Sequence, residues 1–223
     1  MLMLLPNGIR HLPEYMDRPR QEALIDTVRA IVAEAPLYIP AMPGTGKPMS
    51  VRMTNCGPLG WVSDQDGYRY QAAHPVTGKP WPPMPEILLR AWAELADYPD
   101  PPQACLVNFY TPAARMGLHQ DRDEEDFTAP VVSFSLGATC RFRIGGTTRA
   151  APTRSFPLAS GDVLVLAGAS RLAFHGVDRI VAGTSTLLPD GGRINLTLRR
   201  VSHSTTQRRE GAITPSLPGG SFS

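Results

Sequence analysis

From residue 104 onward the chain is a series of short, β-forming segments broken by turn formers, and this pattern restricts the fold more than any other feature. The segments fall at 104–110, 131–136, 139–144, 162–166, 171–175 and 193–201. Short strands at such spacing predict a sandwich or jelly roll rather than a βαβ sheet. The strand RINLTLR shows the clearest alternation. Period two sets Ile194, Leu196 and Leu198 on one face and Arg193, Asn195, Thr197 and Arg199 on the other. A polar face of this kind fits a solvated outer surface. It equally fits a pocket for a dicarboxylate, because guanidinium forks bind carboxylates bidentately. Asn108 and Tyr110 share one face of the 104–110 strand in the same way, with Val107 and Phe109 on the other.

The stretch NFYTPAARMGLHQD ends on His119-Gln120-Asp121. In extended backbone, residues two apart point to the same side, so an imidazole and a carboxylate converge. A second histidine would complete the facial triad that holds non-haem Fe(II) with open positions. His175, in RLAFHGV, is the candidate, read here as lying at a strand end. An HxD tripeptide alone occurs by chance, and a lone histidine in a β protein is more often a core or edge residue. The combination of HxD, a later histidine on a strand end and an arginine-faced strand after it is what an iron site with a bound 2-oxo acid requires.

The first hundred residues differ in character. DRPRQEALIDTVRAIVAEA offers Asp17 as an N-cap and sets Leu24, Val28, Ile31 and Val32 on one helical face, with Pro36 helping to end it. A second helix starts near Pro85 and carries Ile87, Leu88, Ala91, Trp92 and Leu95. Between them, GTGKP resembles a phosphate loop only superficially: Ala41 stands where a glycine is needed and Pro48 where a Ser or Thr is needed, so a nucleoside-triphosphate site is rejected. The segment 53–70 carries Trp61, Tyr68 and Tyr70 among turn formers. Such aromatics can cap a core as a hairpin, or stack a flat ligand such as a base.

Composition restricts the function classes further. The chain has 223 residues, 42% hydrophobic and 19% charged, enough for a real core. A formal charge of +2 is too small for a strongly basic nucleic-acid-binding protein, although Arg141, Arg143, Arg149 and Arg154 cluster. Three scattered cysteines argue against a disulfide framework or a cysteine zinc site and for a reducing cytosol. No run approaches the roughly 20 apolar residues of a membrane span, and MLMLLP is too short for a signal peptide. A cytoplasmic monomer is expected.

Taken with PVVSFSLG, GDVLVLAGASRLAFHGV, CGPLGW and GYRY, these motifs resemble the AlkB family of Fe(II)- and 2-oxoglutarate-dependent dioxygenases over roughly residues 6–201. The resemblance implies a mainly β fold with flanking helices, a double-stranded β-helix whose N-terminal extension forms a nucleotide-recognition lid. The matching division is an extension over 1–100, a jelly-roll core over 101–202 and a flexible tail over 203–223. By position, His119, Asp121 and His175 match the iron ligands, and Asn108, Tyr110, Arg193, Asn195 and Arg199 the 2-oxoglutarate contacts. Trp61, Tyr68 and Tyr70 match lid positions, Asp123 the acid that reads the base edge, and Arg149 a basic substrate contact. The implied activity is O2-dependent demethylation of N-alkylated bases in single-stranded DNA or RNA, with Fe(II) and 2-oxoglutarate. A hydroxylase of proteins or small molecules, or a binding module without catalysis, are the other classes.

Overall fold

The computed structural model describes residues 3–4 and 8–203. Except for His203, the tail expected over 203–223 lies outside the described residues. Two helices are built as their sequences predict. Asp17 caps α1 (Arg18–Glu34), its carboxylate accepting from the Arg20 amide at 3.0 Å. Leu24, Val28 and Ile31 are buried, joined by Ile25. Pro85 stands immediately before α2 (Glu86–Leu95), which buries Leu88, Ala91, Trp92 and Leu95.

The strands are β1 (Met3–Leu4), β2 (Arg10–Leu12), β3 (Arg52–Cys56), β4 (Gly60–Asp64), β5 (Gly67–Gln71), β6 (Ala104–Tyr110), β7 (Met116–His119), β8 (Val131–Gly137), β9 (Cys140–Ile144), β10 (Arg154–Leu158), β11 (Val163–Leu166), β12 (His175–Ile180) and β13 (Arg193–Arg199). They form a larger sheet in the order β1-β2-β11-β8-β13-β6-β3, a smaller one in the order β10-β9-β12-β7, and the separate hairpin β4-β5. Paired strands are antiparallel throughout, giving the double-stranded β-helix. Strands β2 and β3 bring part of the first hundred residues into the larger sheet.

Each face of the larger sheet has its own core. Val107, Phe134, Leu136, Ile194, Leu196 and Leu198 pack outward against the apolar faces of α1 and α2. On the inner side, Leu106, Val131, Leu164 and Leu166 meet Phe142, Ile144, Val177 and Ile180. The alternation of β13 therefore has a definite meaning: its apolar residues face the helices, and Arg193, Asn195, Thr197 and Arg199 face the interior between the sheets. Arg193 is only 2% exposed, which excludes a solvated outer face for this strand.

One expected strand is corrected. Residues 171–175 are not extended; a 3-10 turn at Gly168–Ser170 leads into an irregular segment, and His175 opens β12 rather than ending a strand. The reason is Arg171. Its buried guanidinium donates to the carbonyls of Ala129 (2.8 Å) and Asp121 (2.7 Å), which holds the segment as a clamp. The 53–70 segment does form a hairpin, with Gln65-Asp66 as its two-residue turn and Gly67 at φ 131°, a conformation side chains resist.

Candidate active site

Three ligands of the expected metal site come together. His119, at the end of β7, and His175, at the start of β12, are register partners, and their rings lie 4.5 Å apart. Asp121 follows two residues after His119, with its carboxylate oxygens 3.8 Å from each Nε2. The ligating atoms of all three lie within 4.8 Å of one another. The orientation of each imidazole is set locally: Nδ1 of His119 faces the Gly117 carbonyl and Nδ1 of His175 the Ala173 carbonyl, both at 2.9 Å. A carbonyl only accepts, so each Nδ1 carries the proton. Each Nε2 is left facing Asp121, the arrangement by which an outer partner orients a metal-bound histidine.

Electrostatics favour the ligating protonation states. Burial lowers the His175 pKa from 6.5 to about 4, with help from His119, so its ring is neutral at pH 7. For Asp121 burial works against ionisation. Arg199, then His175, His119 and Arg171, outweigh it and hold the carboxyl well below its usual range. Arg199 Nη2 donates to Asp121 Oδ1 at 2.8 Å.

Gly176 keeps the two strands together. A Cβ there would lie 2.6 Å from the Met116 carbonyl oxygen and 2.9 Å from that of Gly117, and the β12–β7 register shifts at this point. The loop between His119 and Asp121 is fastened to the segment before His175. Gln120 donates to the Leu172 carbonyl at 2.6 Å, and Arg171 holds the Asp121 carbonyl.

The triad lies in a cavity of about 1030 Å3 that opens between the sheets. Deep in it, Arg193 Nη2 donates to Ser135 Oγ at 2.7 Å, and Nη1 approaches the carbonyls of Leu158 and Ala138. Its Nε has no hydrogen-bond partner, and no carboxylate forms an ion pair with it among the described residues. The Asn108 Oδ1 is likewise buried and unpaired. Asn195 lines the cavity too, but both ends of its amide are engaged by protein: it donates to Ser133 Oγ and the Phe134 carbonyl and accepts from Thr197. Tyr110 is buried on the same wall, and burial pushes its phenol pKa up.

At the mouth, Trp61 from β4 donates through Nε1 to Asp123 Oδ2 at 2.7 Å and stacks on Tyr68 from β5 at 5.4 Å. Arg149 donates to the Leu118 carbonyl at 3.1 Å and also lines the cavity. Tyr70 takes a different place. It is not among the lining residues; its hydroxyl donates to Glu124 and accepts from Arg199 at 3.2 Å.

Comparison with known proteins agrees with this geometry. Residues 8–199 match the family model of the 2OG-Fe(II) oxygenase superfamily. The chain is 58% identical over 188 residues to an alpha-ketoglutarate-dependent dioxygenase AlkB homolog of Caulobacter vibrioides, covering 84% of this chain and 85% of that one. It is 45% identical over 183 residues to the alpha-ketoglutarate-dependent dioxygenase AlkB of Escherichia coli, covering 80% and 84%. The chain belongs to the AlkB family. Among solved structures, that of OsALKBH1 superposes with a TM-score of 0.75 at 31% identity, covering 90% of this chain and all of that one.

An AlkB-family dioxygenase uses Fe(II), 2-oxoglutarate and O2, and the residues present fit that set. Two imidazoles and a carboxylate suit Fe(II). A buried guanidinium without an anion is costly, and the unpaired Arg193 Nε marks the place where a carboxylate is wanted. Sequence reasoning missed three members of the site. Glu124, 5% exposed, joins Arg171 at 3.1 Å and Tyr70, so one buried network ties the hairpin to Arg199 and the metal carboxylate. Ser133 and Ser135 hold Asn195 and Arg193. The alternation of VVSFSLG, serines on one face and Val132 and Phe134 on the other, was the signal for the serines; nothing local distinguishes Glu124 from its acidic neighbours.

Proposed function

We propose that this chain repairs nucleic acid by oxidative demethylation of N-alkylated bases, 1-methyladenine and 3-methylcytosine among them, in single-stranded DNA and in RNA. It consumes 2-oxoglutarate and O2 and releases formaldehyde, succinate and CO2. The observation that carries this reading is the mouth of the cavity. Trp61 and Asp123, joined at 2.7 Å, present a flat aromatic face and a carboxylate beside the His119, Asp121 and His175 cluster.

His119, Asp121 and His175 would hold the iron, which when bound supplies the activation of O2 coupled to decarboxylation of 2-oxoglutarate. Arg193 binds the distal carboxylate of that acid, while Asn108 and Tyr110 orient the remainder along β6. Arg199 keeps Asp121 ionised, so the carboxylate stays a ligand rather than an acid. A methylated adenine or cytosine of this type is cationic. Asp123 attracts that charge and accepts a bond from the exocyclic amine, and the rings of Trp61 and His119 sandwich the base. Reaching them requires the base to leave its stack, which costs a few kcal/mol and least in a single strand. Tyr68 and Arg149 contact the nucleotide at the rim, and Tyr70 sets the hairpin over it through Glu124. In this reading residues 1–100 act as the lid-bearing extension to the core at 101–202, and the enzyme works as a cytoplasmic monomer. Three buried free cysteines, Cys56, Cys105 and Cys140, accord with a reducing compartment.

A substrate panel tests the class. Methylated DNA and RNA oligonucleotides should yield formaldehyde with 2-oxoglutarate, whereas peptides and free amino acids should not. Hydroxylation of a peptide or small molecule with the oligonucleotides left untouched would assign the iron site to another substrate.

A further inference from the structure

The outward face of the smaller sheet has no part in the chemistry above, yet its charge is unusual. Along β9 the burial alternates: Cys140, Phe142 and Ile144 point into the core, and Arg141 and Arg143 point out. Arg141 is the register partner of Arg179 on β12, so two exposed guanidinium groups sit directly opposite each other on neighbouring strands. Like charges in that relation destabilise a sheet. Neither has an ion-pair partner among the described residues; on this face Asp178 is used by Arg143, at 3.0 Å. Arg154, exposed at the start of β10, is the register partner of the inward-pointing Ile144 and so lies on the other face of the sheet. The β9 strand runs toward the metal site, since Ile144 is also the register partner of His175. Arg141 and Arg179 therefore lie on the back of the sheet, three residues along β9 from its cavity end, and the loop between β9 and β10 carries Arg149 at the cavity itself.

We infer that this arginine face binds the phosphodiester backbone of the substrate strand where it continues beyond the damaged nucleotide. Repulsion between Arg141 and Arg179 is relieved when a polyanion lies across them, and guanidinium groups suit phosphate oxygens geometrically. A strand whose base occupies the cavity has its flanking nucleotides outside it, and this face offers them a polyanion site beyond the cavity end of β9. The occupant is the same strand, not a complementary one. The inference rests on the polynucleotide reading of the active site, and it makes the chain's affinity depend on substrate length, which chemistry in the cavity alone does not.

The test uses the full-length enzyme with a methylated single-stranded pentanucleotide and with a methylated single strand several times longer. In Arg141→Gln/Arg179→Gln, turnover of the pentanucleotide should stay at the wild-type level. Binding of the longer strand should weaken about three- to tenfold at low salt, with the salt dependence of log K falling by about 1.4 for two lost phosphate contacts. Arg141→Lys/Arg179→Lys should restore most of both. Because the glutamine variant removes a repulsive pair, its melting temperature should equal or exceed that of the wild type; a fall in the melting temperature together with lost pentanucleotide turnover would show a structural role and overturn the inference. Wild-type affinity and salt slope retained on the longer strand would overturn it as well. A loss seen with duplex only would assign the face to the complementary strand and contradict the occupant named here. Failure of the wild type to demethylate the pentanucleotide and the longer strand alike would instead count against the active-site reading.

Discussion

Arg193 and Asp123 stand at the two ends of the cavity, and under the proposed reaction each carries a distinct expectation. Arg193 is buried, tethered by Ser135 and left with an unpaired Nε. Its replacement by Met should raise the KM for 2-oxoglutarate about 100-fold, from about 3 kcal/mol for a lost buried carboxylate pair, while Fe(II) affinity measured by titration stays unchanged. An unchanged KM would place the acid elsewhere. Asp123 is exposed and fixed by Trp61. In Asp123→Asn the ratio of kcat/KM for 1-methyladenine over a neutral N-methylated base should drop about tenfold, because the attraction for the cation is lost while a hydrogen-bond acceptor remains. Equal losses on both bases would show that Asp123 acts only by holding Trp61.

At the level of elements, the metal site depends on how closely β12 approaches β7. Gly176→Ala puts a Cβ into the Met116 carbonyl oxygen. It should separate His175 from His119 and weaken Fe(II) binding at least tenfold without disturbing the helices, which calorimetric metal titration together with far-UV circular dichroism would check. Which elements the sequence makes legible follows from the same geometry. Strands with one face on the helices and the other in the cavity alternate cleanly: β6, β8 and β13 are read within a residue or two. Strand β3 is buried from Met53 to Cys56, so it shows no alternation, and β10 hides behind Pro157, which is tolerated on an edge strand. Strand β2 is only three residues long and is held by a distant contact, His11 to Asp162 at 2.9 Å. The cluster of His119, Asp121 and His175 was legible because HxD is local and a later histidine precedes an arginine-faced strand. The Glu124, Arg171 and Tyr70 network was not, because its members come from three separate segments and meet only in the folded chain.

For the molecule as a whole, stability and metal loading share a pH window. His175 is neutral when folded, with a pKa of about 4 against an ordinary 6.5. Between these values the unfolded chain binds the extra proton, so stability of the metal-free protein should be intact above about pH 6.5 and decline as pH falls toward 4, by about 3 kcal/mol. His175→Phe should flatten that slope in urea denaturation followed across the window; an unaltered slope would assign it to other groups. Fe(II) should counter the decline, since it binds the folded state selectively. The most direct test loads the enzyme anaerobically with Fe(II) and 2-oxoglutarate, adds a single-stranded oligonucleotide carrying 1-methyladenine, admits O2, and follows the mass of the oligonucleotide together with succinate and formaldehyde. Loss of one methyl mass, matched by equal amounts of succinate and formaldehyde and abolished in His119→Ala, is the expected result; succinate formed with the methyl group retained, or methyl loss that persists in His119→Ala, would contradict it.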